Sequence, residues 1–525
     1  MTFIGPLPAR RTLLHVSLSL ALGALLPAGA LADTAAKTAA QTLEVVAPWE
    51  INGLQPVTSG FLFQRMQVLE TLVDVDHEGR MIGGLASSWQ VSDDGLHWQF
   101  RLRENARFHD GSPVTAGRVL PSLKAGRKEP ALLSLAPVDR IEAEGEHTVS
   151  IRLKEPYGAL PALLAHSSTG IVSPESFDAQ GKVTKLVATG PFEIEKVVPP
   201  QQLTVKRFEQ YHGTKPEVAR VHYLAAGRAE TRALMAESGQ SDLAFTVDPA
   251  SLQRIRQRGQ LQVVQAILPR TTILKLNAGL PALKDARVRQ ALSLAIDRKG
   301  VATALLRDPE MAATQLFPAT MPQWHVPGLT PLGFDLAAAE RLLTEAGWKK
   351  GEDGVLRNAQ GEAMHLTLLT FPDRPELPQI ATALQAQWKK LGVAVKVNIG
   401  NSGDIPLAHR DGSLQVGLTA RNYGTVPDPI GSVAQDFSPK GGDWGAMNWH
   451  DAGMDKAIAA LSTGTLPGAE AEAARKQVST TLHEQLPVIP VSWYRQQVVA
   501  GRRIDNVSID AFERSYRLTD IRWRQ

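Results

Sequence analysis

The alternation of helix, glycine and strand in the C-terminal half of the chain constrains its fold more than any other feature. Residues 378–391 have a helical spacing of apolar side chains, Gly392 ends that helix, and valines alternate over residues 393–397 as a strand. Residues 336–346 form another predicted helix, which stops at Gly347. This repetition predicts an α/β fold built on a substantial sheet.

The bulk properties describe a globular chain of more than one domain. A length of 525 residues is too great for one hydrophobic core and sufficient for two or three. Hydrophobic residues make up 43% of the chain and charged residues 21%, which are ordinary proportions. No internal repeat or low-complexity segment competes with this interpretation.

The N-terminus has the three parts of a secretory signal peptide. Arg10 and Arg11 are basic, residues 13–26 are apolar, and residues 30–32 are the small residues of a cleavage site. The apolar run is shorter than the ~20 residues that span a membrane, so a permanent anchor is the less favoured alternative. The pattern predicts a signal peptide over residues 1–32, with Sec export favoured over the twin-arginine route.

Charge and cysteine content narrow the class of protein further. The formal net charge is +3 and falls to +1 without the two signal-peptide arginines, so no nucleic-acid partner is expected. The chain has no cysteine, which excludes both disulfides and a lipidated N-terminal cysteine. No second long apolar run follows the signal. These features predict a protein of the periplasm with no membrane span after signal removal.

Residues 83–115 carry the clearest local signal, a β-hairpin with defined turns. Trp98, Phe100 and Leu102 alternate with polar residues, as in a half-buried strand. Gly95 follows two aspartates in the turn before this strand, and Gly111 lies in the turn after it. A helix is predicted over residues 61–72 and an alternating strand over residues 148–153. The spacing alone predicts these elements and no function.

The same residues resemble the signature of the bacterial solute-binding proteins of family 5, the peptide, nickel and opine class of ABC-transporter binding proteins. The matching residues are Leu85, Ala86, Ser88, Trp89, Asp94, Gly95, Trp98, Phe100, Leu102, Arg103, Phe108, His109, Asp110, Gly111, Pro113, Thr115 and Ala116. Three later segments, residues 189–192, 211–216 and 285–297, are also similar to family motifs. The resemblance extends over nearly the whole chain after the signal peptide.

The resemblance implies an α/β fold of the two-lobe periplasmic binding protein type (type II, cluster C), with hinge strands and an extra small subdomain. Lobes that move about such a hinge close over a ligand. The expected boundaries are a signal peptide at 1–32, lobe I at 33–75, 190–282 and 495–525, the extra subdomain at 76–189, and lobe II at 283–494.

No catalytic or metal-binding motif is recognisable in the sequence. The nucleophile elbow, the phosphate-binding loop and the zinc helix are all absent, and thiol chemistry is excluded without cysteine. His109 lies in the turn motif described above, where a structural role is favoured. His450 is the one weak candidate for a metal contact. We therefore expect no enzyme activity, no resident metal and no cofactor, although a bound ligand can itself carry a metal such as nickel.

The resemblance places ligand selectivity in residues 418–451. Peptide-binding members of the family have an aspartate that pairs with the ligand's amino terminus, and the best-aligned residue here is Asn422. An amide cannot form the charge-assisted pair of a carboxylate. Arg421 and Tyr423 fit the nickel-binding branch, and Arg421 is a candidate to hold a ligand carboxylate. That branch also has an arginine in the smaller lobe, and residues 164–174 contain none.

Aromatic residues complete the predicted site. Trp444 and Trp449 lie near a loop in the selective region, and Phe61 and Phe63 lie in the predicted helix on the other wall of the cleft. Tryptophan offers both an apolar face and a polar edge to a ligand. Packing in a hydrophobic core is the alternative for each of them.

The predicted function is transport. A monomeric periplasmic binding protein would capture a small molecule or short peptide between its lobes and deliver it to an inner-membrane ABC permease. A peptide and a nickel or other metal chelate are left as equal alternatives for the ligand. Two other functions remain open, a secreted hydrolase of peptides or glycans and a partner that presents ligand to a chemoreceptor.

Overall fold

The structure is a computed structural model that describes residues 42–76, 79–128, 131–372, 374–424, 426–439 and 442–524. The chain divides into two units, residues 1–42 and residues 43–525, and the description below concerns the second. The predicted signal peptide lies outside the described residues. Among these residues, the structure contains no helix that is long and apolar enough to span a membrane.

The described chain forms a mixed α/β structure of short strands and helices. The strands are β1 Thr42–Ala47, β2 Val73–Val75, β3 Met81–Gly83, β4 Ala86–Val91, β5 His97–Leu102, β6 Val138–Glu144, β7 Thr148–Leu153, β8 Phe192–Val198, β9 Gln202–Arg207, β10 Arg220–Ala225, β11 Leu243–Phe245, β12 Gln262–Leu276, β13 Lys349–Lys350, β14 Leu356–Arg357, β15 His365–Thr370, β16 Ala394–Ile399, β17 Val416–Asn422, β18 Val488–Ala500, β19 Ile504–Asp505 and β20 Arg522–Trp523. The α-helices are α1 Pro56–Arg65, α2 Ala116–Gly126, α3 Leu160–Leu163, α4 Ala229–Ser238, α5 Pro249–Arg258, α6 Pro281–Lys284, α7 Ala286–Leu294, α8 Arg298–Ala304, α9 Leu336–Glu345, α10 Glu376–Leu391, α11 Asp404–Arg410, α12 Ile430–Phe437, α13 Ala452–Thr463 and α14 Gly468–Gln485.

One ten-stranded sheet runs through the molecule in the order β16-β15-β17-β12-β18-β11-β1-β10-β9-β8. The long antiparallel strands β12 and β18 lie in its middle and join two bodies. We call the body built on β1 and β8–β11 the first lobe, and the body built on β15–β17 the second lobe. This arrangement confirms the predicted two-lobe α/β fold with hinge strands.

Two of the local elements from which the fold class was predicted are also confirmed. Strands β4 and β5 form the predicted antiparallel hairpin, within a four-stranded sheet of order β4-β5-β7-β6 that we call the small sheet. Helix α10 ends at Gly392, whose φ is 93°, and leads into β16, which pairs in parallel with β15. The predicted helix over residues 61–72 is wrong in its bounds. Helix α1 starts at Pro56 and ends at Arg65, because Gln67 has a left-handed backbone with φ 54°.

Separate hydrophobic cores support the two lobes and the small sheet. The first lobe packs around residues such as Phe63 and Tyr223, the small sheet around Phe100 and Phe108, and the second lobe around Trp388 and its neighbours. Val426 of the second lobe belongs to the core of the small sheet. The bodies are therefore in direct contact on this side of the molecule.

Candidate ligand-binding cleft

Three arginines and one glutamate meet where the two lobes face each other. Arg65 is the last residue of α1, Arg270 lies in β12, Arg374 precedes α10, and Glu513 lies in the C-terminal segment after β19. Arg65 Nε donates a hydrogen bond of 2.7 Å to the main-chain oxygen of Glu513, and its Nη2 lies 3.6 Å from Glu513 Oε1. Arg270 Nη2 pairs with Glu513 Oε2. We call these four residues the arginine cluster.

Tyr494 of the hinge strand β18 supports two members of the cluster. The guanidinium carbons of Arg270 and Arg374 each lie 5.0 Å from the centre of its ring, within the range of a cation–π contact. Among the described residues, no carboxylate lies within ion-pairing distance of Arg374. Arg374 therefore has no anionic partner in the part of the chain that the structure describes.

The electrostatics of the cluster favour an anion. Burial raises the pKa of Glu513, but Arg270, Arg65 and Arg374 outweigh it and hold that pKa below its ordinary value. Within the described part of the chain, Arg65 Nη1 and Arg270 Nε are buried without a hydrogen-bond partner. The three guanidinium groups carry three positive charges, against two negative charges on Glu513 and the more distant Glu376. A carboxylate is the ligand group that a guanidinium binds best.

The loop over residues 510–516 presents Glu513 to the cluster. The carboxylate of Asp510 accepts hydrogen bonds from the main-chain N–H groups of Phe512 (2.9 Å), Arg514 (2.9 Å) and Ser515 (3.0 Å). These bonds wrap the loop around Asp510. Glu513 has a left-handed backbone with φ 57°, which is uncommon for a residue other than glycine. Strain of this kind is concentrated at functional sites.

A cavity of about 110 Å³ lies beside the cluster at the hinge. It is lined by the end of β11, the start of α5, the start of α10 and residues 492–497 of β18. Asp248 Oδ2, Glu376 Oε1 and Gln497 Oε1 face it and have no hydrogen-bond partner among the described residues. Gln496 also lines a cavity of about 10 Å³ that reaches Arg65 and Glu513. The lobes thus enclose both a cationic region and a set of free acceptor oxygens.

Close contacts between the lobes show that they are closed. Phe512 approaches two glycines, since a β-carbon on Gly79 would lie 2.3 Å from its ring and one on Gly424 would lie 3.2 Å from it. The main chains of Gly158, after β7, and Gly464, after α13, also meet, and Gly158 N donates to Ser462 O at 3.3 Å. Side chains at these glycines would not fit.

Arg421, the residue predicted to hold a ligand carboxylate, is engaged within the second lobe. Its Nε and Nη2 donate to the buried carboxylate of Asp436 at 2.6 and 2.8 Å. Lys275 lies near this pair and donates to the main-chain oxygen of Asp443 at 3.0 Å. Burial lowers the pKa of Lys275 to about 7, against the opposing influence of Asp436 and Asp443. Arg421 is thus engaged in a buried ion-pair network within the second lobe.

Its neighbours Asn422 and Tyr423 take different positions. Asn422 Nδ2 donates to Glu513 Oε2 at 3.2 Å, so this predicted residue does contact the cluster. Tyr423 is fully buried, and its ring centre lies 5.1 Å from that of Phe317 in the second-lobe core. This position favours the core alternative for Tyr423.

The other predicted aromatic residues mostly support the lobes. Phe63 is fully buried in the first-lobe core. Phe61 is half-buried, and the guanidinium carbon of Arg65 lies 5.5 Å from its ring centre. Trp444 and Trp449 are half-buried against two cores of the second lobe. Phe61 is therefore the aromatic residue of this set that the structure brings to the arginine cluster.

His450, the weak candidate for a metal contact, lies at the surface. Its side chain is 66% exposed, and Nδ1 lies 3.4 Å from Asp455 Oδ2. Across the described ranges, no group of three or more histidines and acidic residues could hold a metal ion.

Sequence patterns did not identify the arginine cluster. Its members are separated by up to 448 positions, and only the fold brings them together. One local signal was available, since Pro269 and Arg270 interrupt the strand β12 directly after the apolar residues 266–268. Trp49 was also missed, and Arg65 stacks on its ring at 4.3 Å.

Comparison with known proteins places these features in a family. The model described as "Bacterial extracellular solute-binding proteins, family 5 Middle" matches residues 80–444. The nickel-binding periplasmic protein of Escherichia coli is 25% identical over 482 residues, which are 88% of this chain and 91% of that protein. The probable D,D-dipeptide-binding periplasmic protein DdpA of Escherichia coli is 32% identical over 327 residues, 60% of each chain.

Solved structures share the whole fold. NikA from Brucella suis in complex with Fe(III)-EDTA is 25% identical, with a TM-score of 0.84 over 92% of this chain and all of that chain. NikZ from Campylobacter jejuni in complex with Ni(L-His) is 21% identical, with a TM-score of 0.78 over 92% of this chain and 99% of that chain. The second likeness concerns the fold alone.

Proposed function

The chain belongs to the bacterial extracellular solute-binding proteins of family 5, and we propose that it captures a carboxylated ligand between its lobes for an ABC importer. It would do so in the periplasm, after cleavage of the predicted signal peptide, and would release the ligand to an inner-membrane permease. Curated relatives are periplasmic binding proteins, which supports this location. No bond is made or broken in such a cycle.

The arginine cluster is the observation that carries the proposal. Arg374 has no carboxylate within ion-pairing distance among the described residues, and Arg65 and Arg270 each keep a buried N–H donor without a partner there. Leaving such donors unpaired destabilises a closed cleft by about 1–3 kcal/mol for each group. A ligand carboxylate would satisfy them and would add charge-assisted hydrogen bonds.

A metal chelate with several carboxylates is the first candidate ligand. Such a ligand presents more than one anionic oxygen group, which suits a cluster in which guanidinium groups are in excess. Similar proteins are named for nickel or were solved with Fe(III)-EDTA, and the fold similarity to the latter extends over nearly the whole chain. The metal would be part of the ligand.

A short peptide is the second candidate, and a different observation favours it. Asp248 Oδ2, Glu376 Oε1 and Gln497 Oε1 are buried acceptors that lack partners in the described part of the chain. A protonated amino group has three N–H donors and no acceptor, so it would satisfy these oxygens. A peptide could thus place its carboxylate at the arginine cluster and its amino group in the cavity.

Native mass spectrometry of protein purified from its own cells tests these alternatives. A bound mass that contains a metal and a polycarboxylate supports the chelate, and a peptide mass supports the second candidate. Calorimetry with Fe(III)-EDTA, a nickel–L-histidine complex and dipeptides then measures each affinity. Hydrolysis of a bound peptide would contradict the transport function, as would unchanged ligand uptake in a deletion strain.

A further inference from the structure

We propose that Glu513 is a built-in carboxylate, which occupies the carboxylate-binding position of the cleft and holds the lobes together until a ligand replaces it. The inference rests on the proposed function, because it concerns how a carboxylated ligand enters the same site. It assigns to Glu513 a role in setting affinity and closure that differs from direct contact with bound ligand.

The contacts of Glu513 cross from one lobe to the other. Its loop belongs to the first lobe, where Tyr516 N donates to Arg65 O at 2.8 Å. Its carboxylate pairs with Arg270 of the hinge strand β12 and accepts a hydrogen bond from Asn422 of the second-lobe strand β17. A single side chain therefore links α1, the hinge and the second lobe.

In the closed form without ligand, the carboxylate of Glu513 is buried and fixed by its partners. The side chain of Glu513 is 5% exposed, and that of Arg270 is 8% exposed. Asp510 fixes the loop through three main-chain hydrogen bonds, and these bonds hold Glu513 in its left-handed conformation. An exposed glutamate loses side-chain entropy when it forms an ion pair. The side chain of Glu513 is already ordered by burial, so its ion pair costs little further entropy.

Glu513 and a ligand carboxylate would use the same donors. The Arg270 guanidinium gives its Nη2 to Glu513 and retains an unpartnered Nε within the described residues, so it is only half engaged. Full bidentate binding by a ligand requires Glu513 to withdraw. A ligand with one carboxylate would merely exchange with Glu513, whereas one with several would also engage Arg374. The arrangement thus favours ligands with more than one carboxylate.

Removal of the Glu513 carboxylate should change the ligand affinity in a defined direction. In E513Q, the closed form without ligand loses its ion pair, while the ligand-bound form, from which Glu513 is displaced, loses nothing. The affinity for an anionic ligand should therefore rise. A direct contact between Glu513 and the ligand, through a metal or an amino group, would give the opposite result.

Calorimetry and small-angle X-ray scattering on the full mature protein test the proposal. We expect E513Q to bind Fe(III)-EDTA or a nickel–L-histidine complex at least about fivefold more tightly than the wild type, and to have a larger radius of gyration without ligand. Unchanged or weaker binding, or an unchanged radius, would overturn it. E340Q is the matched control, because it removes the same charge from an exposed pair with Lys350.

Binding and scattering together distinguish a failure of the Glu513 role from a failure of the proposed function. If neither protein binds a carboxylated probe, the proposed ligand class is wrong, and the scattering of the unliganded proteins still decides whether Glu513 holds the lobes together. Thermal unfolding checks that E513Q is folded, and E513A provides a second variant in which the ion pair is absent.

Discussion

The main chains of Gly158 and Gly464 meet where the small sheet and its neighbouring loops contact the second lobe. A β-carbon on Gly158 would lie 2.2 Å from the Cα of Gly464, a separation that real β-carbons do not adopt. The backbone of Gly158 does not have a positive φ, so alanine is compatible with its own conformation. The contact therefore depends on the closed position of the lobes.

Gly158→Ala should weaken ligand binding without touching the cleft. The methyl group opposes closure, so we expect the affinity for a carboxylated probe to fall about tenfold, which is ~1.4 kcal/mol. Calorimetry measures the affinity, and scattering with bound probe measures closure. Gly117→Ala is the matched control, because a β-carbon there meets no atom within 4 Å. Equal affinities for the two variants would contradict this role of the contact.

Arg374→Gln should weaken the binding of carboxylated ligands by about tenfold or more, or ~1.4 kcal/mol. The reason is that Arg374 has no carboxylate partner among the described residues, so its guanidinium is available to the ligand. The free energy of unfolding should fall by about 0.5–2 kcal/mol, because the cation–π contact with Tyr494 is lost. Calorimetry with Fe(III)-EDTA provides the measurement, and full retention of affinity would remove Arg374 from the site.

Asp436→Asn should destabilise the second lobe strongly. The carboxylate of Asp436 is fully buried and binds Arg421 through two hydrogen bonds, with Lys275 nearby. Removal of one partner of a buried ion pair costs about 3–5 kcal/mol. Chemical denaturation measures this loss. Asp353→Asn, which breaks an exposed pair with Arg357, is the control and should leave the denaturation midpoint nearly unchanged.

Lys275 should make the free energy of unfolding depend on pH. Burial lowers its pKa from 10.5 to about 7 in the folded protein. Between pH 7 and 10.5 the unfolded chain therefore holds a proton that the folded chain has lost, so this group adds stability as the pH rises. The slope is at most about 1.4 kcal/mol per pH unit.

Lys275→Met isolates this contribution. The variant keeps the Arg421–Asp436 pair and removes the titrating group, so the difference in unfolding free energy between wild type and variant should change across this pH window. Denaturant titrations at several pH values measure it. A difference that stays constant from pH 7 to 10 would show that Lys275 keeps an ordinary pKa.

The sequence predicted elements whose signals are local. The hairpin of β4 and β5 follows from alternating aromatic residues and turn glycines, and the end of α10 follows from Gly392. The bounds of α1 were wrong, because the left-handed turn at Gln67 has no glycine to mark it. Turn residues and the periodic spacing of apolar residues therefore predicted whether a segment is a helix or a strand better than they predicted where it ends.

The cleft could not be predicted in the same way. Arg421 was singled out from its motif, and its partner Asp436 lies fifteen positions later in a helix that no pattern connects to it. Glu513 meets Arg65 and Arg270 only because the C-terminal segment returns to the first lobe. Contacts over such separations depend on the fold, and single-sequence spacing does not record them.

The pairing of the two hinge strands is irregular at two points, and the first lies at the arginine cluster. The register of β12 against β18 shifts between Leu268 and Thr271, and the residues that fall in this gap are Pro269 and Arg270. A pair of strands bends at a place where the regular hydrogen-bond pattern between them is interrupted. Arg270, which we propose binds the ligand carboxylate, thus lies at this irregular point between the lobes. If a ligand carboxylate binds Arg270, binding acts directly on the point about which the lobes turn, and no further residues are needed to couple the two events.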